Sequence, residues 1–375
     1  MQTRFLKREE FPHWAELAAA APAGGVYADP IYLEALCQAT GGSFRILVAE
    51  HGGEITGGIA LYEKPGNGRL ISPRSLLYYN GITLVTHSTR TPGQETEWHL
   101  ATLAALESAL GQLPNARLRF KNRAPLSDLR VFAERGWLVE PQWTYVVDLC
   151  DMAASWSRVH KDQQRLIRRC RERGLCLTED GDFDAFFDMH QQTHERKGAP
   201  LYLSREAFRL YVASLRERGL ARLYHARLPD GGSAAAQLVL TGTHPVTHTV
   251  CAAAHPDHLS LGASAFLRWS VFEDLSRMGY RANDLTDAAL NPVTRFKAQL
   301  GGDLQLCLEV SRPDSLRLRA RNGAMTLAAR LSRPLRRRWR AFRRNGTWRE
   351  PDRVPPTAAP KGDGGNRDAL VDLGP

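Results

Sequence analysis

A lysine and two aspartates in the last third of the chain have the residue types and spacing that could do chemistry. Asp284 and Asp287 follow a short apolar strand that begins after Gly279, and Lys297 follows the next loop. Because the carboxyl ends of strands in α/β sheets open onto ligand crevices, we expect these side chains to share one crevice. A lysine there can hold a phosphate or offset the charge of a tetrahedral oxyanion. A surface lysine paired with an aspartate is the alternative.

Two groups of histidines have spacings that bear on metal binding. His190 and His194 lie at i and i+4 on one predicted helix, but Gln191 stands where a zinc protease needs its glutamate base. We therefore favour a solvated helix face with one packed histidine. The second group surrounds a predicted strand: His244, His248, His255 and His258. We interpret these as paired, partly exposed histidines, and we predict no metal site.

Alternating strands and helices could position these residues. The first half is predicted to contain strands at 44–50, 55–62, 116–120 and 145–149, and helices at 97–110 and 126–135. The second half is predicted to contain helices at 155–173, 183–195, 205–218 and 265–277, and strands at 221–227, 234–241 and 246–253. The element order is similar in the two halves. We predict an α/β fold with a mixed sheet and two similar domains, residues 1–150 and 151–310.

Composition excludes several classes of protein. The chain has 375 residues, an apolar fraction of 43% and six cysteines without a C-x-x-C pair, which argues against a zinc ribbon or a disulfide framework. No run approaches the roughly 18 apolar residues of a membrane span. The N-terminus is also a poor signal peptide, so a cytoplasmic location is expected.

Several short motifs, taken in order, resemble the FemAB-like branch of the GNAT superfamily. They are Ser72-Pro73 with Tyr78-Tyr79-Asn80-Gly81, residues 144–149, 165–174 and 193–200, the G-x-x-x-x-D-L that starts at Gly279, and the F-K-x-x-L-G-G that starts at Phe296. The resemblance covers residues 25–310. It implies two tandem GNAT-like domains, with residues 311–375 as a tail.

The resemblance implies an acyltransferase. Such a protein would move an acyl or aminoacyl group from acyl-CoA or aminoacyl-tRNA onto an amine of a cell-envelope or polysaccharide precursor. Asp284 or Asp287 would accept the proton of the amine, and Lys297 would stabilise the oxyanion. No permanently bound cofactor is expected. The alternative is a degenerate GNAT pair that acts as a non-catalytic scaffold or binding module.

The donor site that the resemblance implies lies just before the helix predicted at 265–277. GNAT domains carry Q/R-x-x-G-x-G/A there, and backbone N–H groups bind the CoA pyrophosphate. This chain has Gly262, Ala263 and Ser264, but the leading Arg or Gln is missing, and His258 could substitute for it. The weakened motif is the reason for the scaffold alternative.

Basic side chains of the second half are expected to hold phosphate groups of the substrate or of tRNA. The helix predicted at 155–173 carries Arg165, Arg168 and Arg169. The resemblance adds Arg196 and Tyr79 as substrate-binding residues. A solvated, charge-rich helix face is the alternative.

The net charge of +10 lies in the tail, because residues 311–350 contain 13 arginines and two acidic residues while residues 1–310 are neutral overall. Five apolar residues of the segment 325–345 fall on one side of a helix: Leu327, Leu331, Leu335, Trp339 and Phe342. Arginines lie opposite, which predicts a peripheral anchor on an anionic membrane surface at its inner face. An RNA-binding or disordered basic tail is the alternative, and residues 351–375 are expected to be disordered.

Overall fold

The computed structural model describes residues 1–63, 70–71, 76–87, 91–113 and 117–313. Ser72-Pro73 and the predicted membrane anchor at 325–345 lie outside these residues. The described residues up to Arg312 belong to one compact unit. Among the helices in this part of the chain, none combines the length and the apolar character that crossing a bilayer requires.

Strands and helices alternate along the described residues. The strands are β1 Gln2–Phe5, β2 Ser43–His51, β3 Glu54–Glu63, β4 Leu70–Ile71, β5 Ile82–Leu84, β6 Arg117–Lys121, β7 Leu138–Asp148, β8 Cys176–Glu179, β9 Ala221–Arg227, β10 Ser233–Leu240, β11 Val246–Ala254, β12 Ala282–Asp284 and β13 Asp303–Ser311. The α-helices are α1 Phe11–Ala20, α2 Pro30–Thr40, α3 Pro92–Gly111, α4 Arg130–Glu134, α5 Met152–Arg158, α6 Lys161–Glu172, α7 Phe183–Lys197, α8 Arg205–Glu217, α9 Ala263–Arg277 and α10 Pro292–Ala298.

Most predicted elements match these bounds, but the strand predicted at 145–149 begins earlier, as β7, and the helix predicted at 126–135 is shorter, as α4. The single helix predicted at 155–173 is wrong. The chain forms α5 and α6 instead, because Val159 and His160 take extended conformations with ψ near 134° and 138°. The side chain of Asp151 caps α5 by accepting from the N–H of Ala154, and His160 caps α6 in the same way. Beyond the break, α6 packs against α9.

Two sheets form the framework. A four-stranded antiparallel sheet has the order β1-β2-β3-β5, and a nine-stranded mixed sheet has the order β4-β6-β13-β7-β12-β11-β10-β9-β8. Strand β13 pairs antiparallel with β6 on one edge and with β7 on the other. Strands from both sides of residue 150 therefore share one sheet, and the division into two domains there stays a prediction.

Strands β11 and β12 pair for a short distance and then separate. They are parallel neighbours from Val246 to His248, opposite Ala282 to Asp284. Strand β11 continues to Ala254, whereas β12 ends at Asp284. The chain after β12 turns away because Thr286 and Asp287 have φ values of +47° and +57°. Beyond His248 the backbone of β11 is therefore no longer paired with β12, although the Thr286 hydroxyl donates to the carbonyl oxygen of Thr249 at 3.0 Å. We call this place of separation the cleft; α7 packs against β11 there, and α9 follows the end of β11.

Candidate functional site

Asp284 lies at the point where β11 and β12 separate, and it is 3% exposed. Its carboxylate accepts hydrogen bonds from the Tyr79 hydroxyl at 2.8 Å, the Thr144 hydroxyl at 2.5 Å and the N–H of Thr286 at 2.7 Å. The Nδ1 atom of His248 lies 3.5 Å from Asp284 Oδ2. Residues from β7, β11, β12 and the segment before β5 therefore meet at one buried carboxylate.

The surroundings of Asp284 favour its ionised form. Burial alone would raise its pKa, but His248, the Thr144 hydroxyl and the charge of Arg123 together hold the pKa well below its usual range. Burial lowers the pKa of His248 in spite of the neighbouring carboxylate. A carboxylate stabilised this strongly is a weak base, so its surroundings do not support the predicted role of Asp284 as proton acceptor.

Lys297 of α10 reaches the loop after Asp284, which the sequence predicted, but it is not a surface lysine. It is 3% exposed, and its ammonium group donates to the carbonyl oxygens of Thr286 at 2.5 Å and Asp287 at 3.1 Å. These two carbonyls belong to the residues with positive φ. Lys297 therefore fixes the turn that carries Asp287, whose side chain is half-buried.

Two consecutive tyrosines contact the two separating strands. The Tyr78 hydroxyl donates to the carbonyl oxygen of Val250 in β11 at 3.2 Å, and the Tyr79 hydroxyl donates to Asp284 in β12. Tyr79 is 3% exposed and its hydroxyl contacts the protein interior, so its role in binding substrate stays a prediction. Tyr78 belongs to one of the motifs of the resemblance, but nothing in the local sequence indicates that it lies beside Val250, so no role was predicted for it.

Arg123 is a second residue that sequence reasoning missed. It is buried, and its guanidinium donates to the carbonyl oxygen of Gly24 and lies 3.3 Å from Nε2 of His244. His244 and His248 are both buried, so the expectation that they are partly exposed is wrong. His255 and His258 are half-buried, with ring centres 5.2 Å apart.

The predicted donor turn precedes α9. Gly262 has φ +90°, and a Cβ there would lie 2.8 Å from Cβ of Leu166 in α6, so both the backbone and the packing require glycine. Ala263 is buried and Ser264 is half-buried, and no side chain caps the N-terminus of α9. The helix therefore begins with backbone N–H groups that a side chain does not satisfy.

Arg169 of α6 lies across this turn. Its guanidinium donates to the carbonyl oxygens of Ser260 at 2.7 Å and Leu261 at 2.8 Å. A cation is thus present where the motif lacks its leading Arg or Gln, and it comes from a different helix. His258, the predicted substitute, lies in the same turn.

The remaining predicted arginines are exposed and lie outside the buried cluster. Arg165 pairs with Asp162 at 3.0 Å, and Arg168 lies 5.7 Å from the ring centre of Trp156. Arg196 is exposed near the end of α7. Their placement agrees with the alternative of a solvated helix face.

His190 and His194 are both buried in α7, so the solvated helix face predicted for them is wrong. Their ring centres lie 4.3 Å apart, and Nδ1 of His194 lies 2.9 Å from the carbonyl oxygen of Pro200. Burial lowers the pKa of His190 to about 3. Across the described ranges, no three His, Cys, Asp or Glu side chains are grouped so that they could hold a metal ion.

Part of the sequence and the fold of this chain are similar to those of known proteins. Residues 157–298 match a family model described as an acetyltransferase (GNAT) domain. The structure of FemX has a TM-score of 0.62 at 12% identity, covering 82% of this chain and 97% of FemX. The C-terminal domain of a protein described as a lysylphosphatidylglycerol synthetase from Agrobacterium fabrum has a TM-score of 0.54 at 13% identity, covering 86% and 96%. Among curated proteins, none matches. The segment 157–298 therefore matches the GNAT domain family, and 82% of the chain shares the fold of FemX.

Proposed function

We propose that this protein is an acyltransferase that moves an acyl group from acyl-CoA onto an amine of a cell-envelope or polysaccharide precursor. The observation that carries the proposal is the separation of β11 from β12 directly before the N-terminus of α9. A thioester lying between the strands would place its carbonyl carbon beside the Lys297-bound loop and its phosphates at the helix N-terminus. The amine nitrogen forms the new bond to that carbon as the carbon–sulfur bond breaks, and CoA leaves.

The donor turn supports acyl-CoA in spite of its incomplete motif. The N–H groups of the first turn of α9 and the guanidinium of Arg169 lie on the same turn. A helix N-terminus and a neighbouring cation are together the usual environment of a bound pyrophosphate. Arg169 would therefore supply the charge that the missing residue of the motif supplies elsewhere.

Asp287 is the better candidate for the group that accepts the amine proton. Its side chain is half-buried, and its backbone is held by Lys297 at the mouth of the cleft. Asp284 would instead hold Tyr79 and His248 in place. Lys297 would act by fixing the turn, with its ammonium charge close to the developing oxyanion.

The acceptor class is supported less directly. One protein with this fold is named for lysylphosphatidylglycerol, a lipid, which supports an acceptor in the cell envelope. Binding of tRNA depends on many phosphate contacts from basic side chains, and residues 1–310 have no net charge, so an excess of such side chains exists only in the segment 311–350 outside the proposed site. We therefore favour acyl-CoA over aminoacyl-tRNA as the acyl donor.

Thermal unfolding in the presence of each donor tests the proposal, because a ligand that binds the native state raises its stability. We expect acetyl-CoA to stabilise the protein. Arg169→Ala should weaken acetyl-CoA binding by about tenfold, the loss of one charge-assisted hydrogen bond. Arg173→Ala, an exposed arginine at the end of the same helix, is the matched control and should bind normally.

Each other outcome has a definite meaning. Stabilisation by aminoacyl-tRNA without stabilisation by acetyl-CoA would identify a Fem-type aminoacyltransferase. Stabilisation by neither would favour the non-catalytic scaffold.

We also propose that residues 325–345 bind anionic membranes, on the sequence pattern alone. Flotation with anionic and neutral vesicles tests this, and binding that survives deletion of 325–345 would contradict it.

A further inference from the structure

Tyr78 reaches the cleft from the half of the chain that does not contain the GNAT domain. Its hydroxyl donates to the carbonyl oxygen of Val250, two residues past His248, where β11 is paired with β10 but no longer with β12. The side chain is 8% exposed. A hydroxyl group is therefore bonded to β11 just beyond the point where its pairing with β12 ends, near the place where the proposed function puts the acyl group of the donor.

The segment that carries Tyr78 is held rigidly on both sides. Leu76 is buried with φ +70°, a conformation that costs a non-glycine residue energy, and its carbonyl oxygen accepts a hydrogen bond from the Tyr32 hydroxyl. The Asn80 side chain accepts from the N–H of Lys121 at 3.0 Å and donates to the carbonyl oxygen of Arg119 at 3.1 Å. Strain of this kind persists where the surrounding contacts over-determine it, and it is frequent at functional sites.

The chemical state of Tyr78 suits a hydrogen-bond donor. Burial raises its pKa, so the phenol keeps its proton at neutral pH. The ammonium group of Lys297 already donates to the carbonyl oxygens of Thr286 and Asp287. A neutral donor held in place before the reaction begins is the arrangement that stabilises a developing oxyanion most effectively.

We propose that Tyr78 is the side-chain donor to the oxyanion, so that the reaction centre of the GNAT domain is completed by the other half of the chain. This inference rests on the proposed function. When the carbonyl oxygen of the donor enters the cleft, the Tyr78 O–H turns from Val250 to that oxygen and holds it as the amine attacks. Tyr78 keeps its proton throughout, and no bond to it is made or broken.

The test compares Tyr78→Phe with Tyr62→Phe in the full chain. Tyr62 is 1% exposed and its hydroxyl lies 2.7 Å from Oγ1 of Thr40 at the end of α2, so the control also removes a partly buried, hydrogen-bonded tyrosine hydroxyl. The reaction is CoA release from acetyl-CoA, with hydroxylamine as the probe acceptor. Tyr78→Phe should lower kcat by roughly 10²–10³-fold, the loss of one oxyanion-hole donor, with the Kd for CoA unchanged. Tyr62→Phe should stay within about twofold of the wild type, because its hydroxyl is outside the cleft.

The possible failures can be told apart. If the wild-type protein neither binds acetyl-CoA nor releases CoA from it, the proposed donor is wrong and the role of Tyr78 is overturned with it. If the wild type is active and Tyr78→Phe matches Tyr62→Phe, the proposed function stands and the inference alone is overturned. A rise in KM at unchanged kcat would also overturn it, because that would make Tyr78 a contact to the ground state.

Discussion

Replacing Tyr79 with phenylalanine would measure how strongly Asp284 ties the two halves together. The substitution removes one hydroxyl and keeps the aromatic ring, whose contacts include Tyr27 at 5.7 Å between ring centres. The lost hydrogen bond is 2.8 Å long and its acceptor is a buried, ionised carboxylate. Hydrogen bonds to charged groups contribute about 1.5–3 kcal/mol, so we expect the free energy of unfolding to fall by that amount.

Tyr27→Phe provides the matched control. Among the described residues, the hydroxyl of Tyr27 is buried and has no hydrogen-bond partner. Its removal should leave stability unchanged or raise it, because an unsatisfied buried polar group carries a desolvation cost. Urea unfolding at pH 7, followed by tryptophan fluorescence, gives both values.

The pH dependence gives a second check on the same reasoning. The folded pKa of Asp284 is below its ordinary value of 3.8, so its contribution to stability is present above pH 3.8 and is lost as the pH falls towards the folded value. The difference between Tyr79→Phe and Tyr27→Phe should therefore stay constant from pH 8 to pH 5. Two results would refute the assignment of Asp284 as an acceptor that stays ionised. One is equal free energies of unfolding for the two variants, and the other is a difference between them that disappears between pH 8 and pH 5.

Three further changes have definite expected outcomes. Gly262→Ala should cost at least about 1–2 kcal/mol from its positive φ. Shortening Leu166 to alanine keeps the Cβ atom 2.8 Å from the new methyl group but removes Cδ2 at 2.9 Å and Cγ at 3.2 Å, so it should recover a small part of the loss in urea titrations. Lys297→Met should lower stability by about 1–3 kcal/mol because the carbonyls of Thr286 and Asp287 lose their donor; unchanged urea unfolding would contradict this. The pKa of His190 is lowered in the folded protein, so below pH 6.5 the unfolded chain binds a proton that the folded protein does not. The free energy of unfolding should therefore decrease as the pH is lowered from 6.5 to about 3. His190→Phe should flatten that fall by up to about 1.4 kcal/mol per pH unit, and an equally steep profile would show that another group causes it.

Periodicity and turn residues were enough to predict most strands and helices. The hairpin of β9 and β10 and helix α9 follow from local patterns of apolar residues and glycines. The break at Val159 was missed because no proline or glycine marks it. The backbone leaves the helix there even though residues 155–173 contain good helix formers.

Contacts of the candidate site between residues close in sequence could be predicted, whereas contacts between residues far apart in sequence could not. Lys297 and Asp287 are ten residues apart, so a strand followed by a helix brings them together. Tyr79 and Asp284 are separated by 205 residues, and no local periodicity records their hydrogen bond. Arg169 belongs to the same class, because it reaches the donor turn from another helix and therefore does not appear in the motif.

The position of β13 between β6 and β7 has a consequence for the way the chain is made. Phe120 of β6 pairs with Val310 of β13, so β6 leaves the ribosome about 190 residues before its partner strand. At about 5–20 residues per second, the facing edges of β6 and β7 stay open for roughly 10–40 s. Open strand edges invite pairing with other chains. Synthesis of the first half therefore cannot complete its sheet, and a chain whose synthesis stops before Asp303 would have two unpaired strand edges, one on β6 and one on β7.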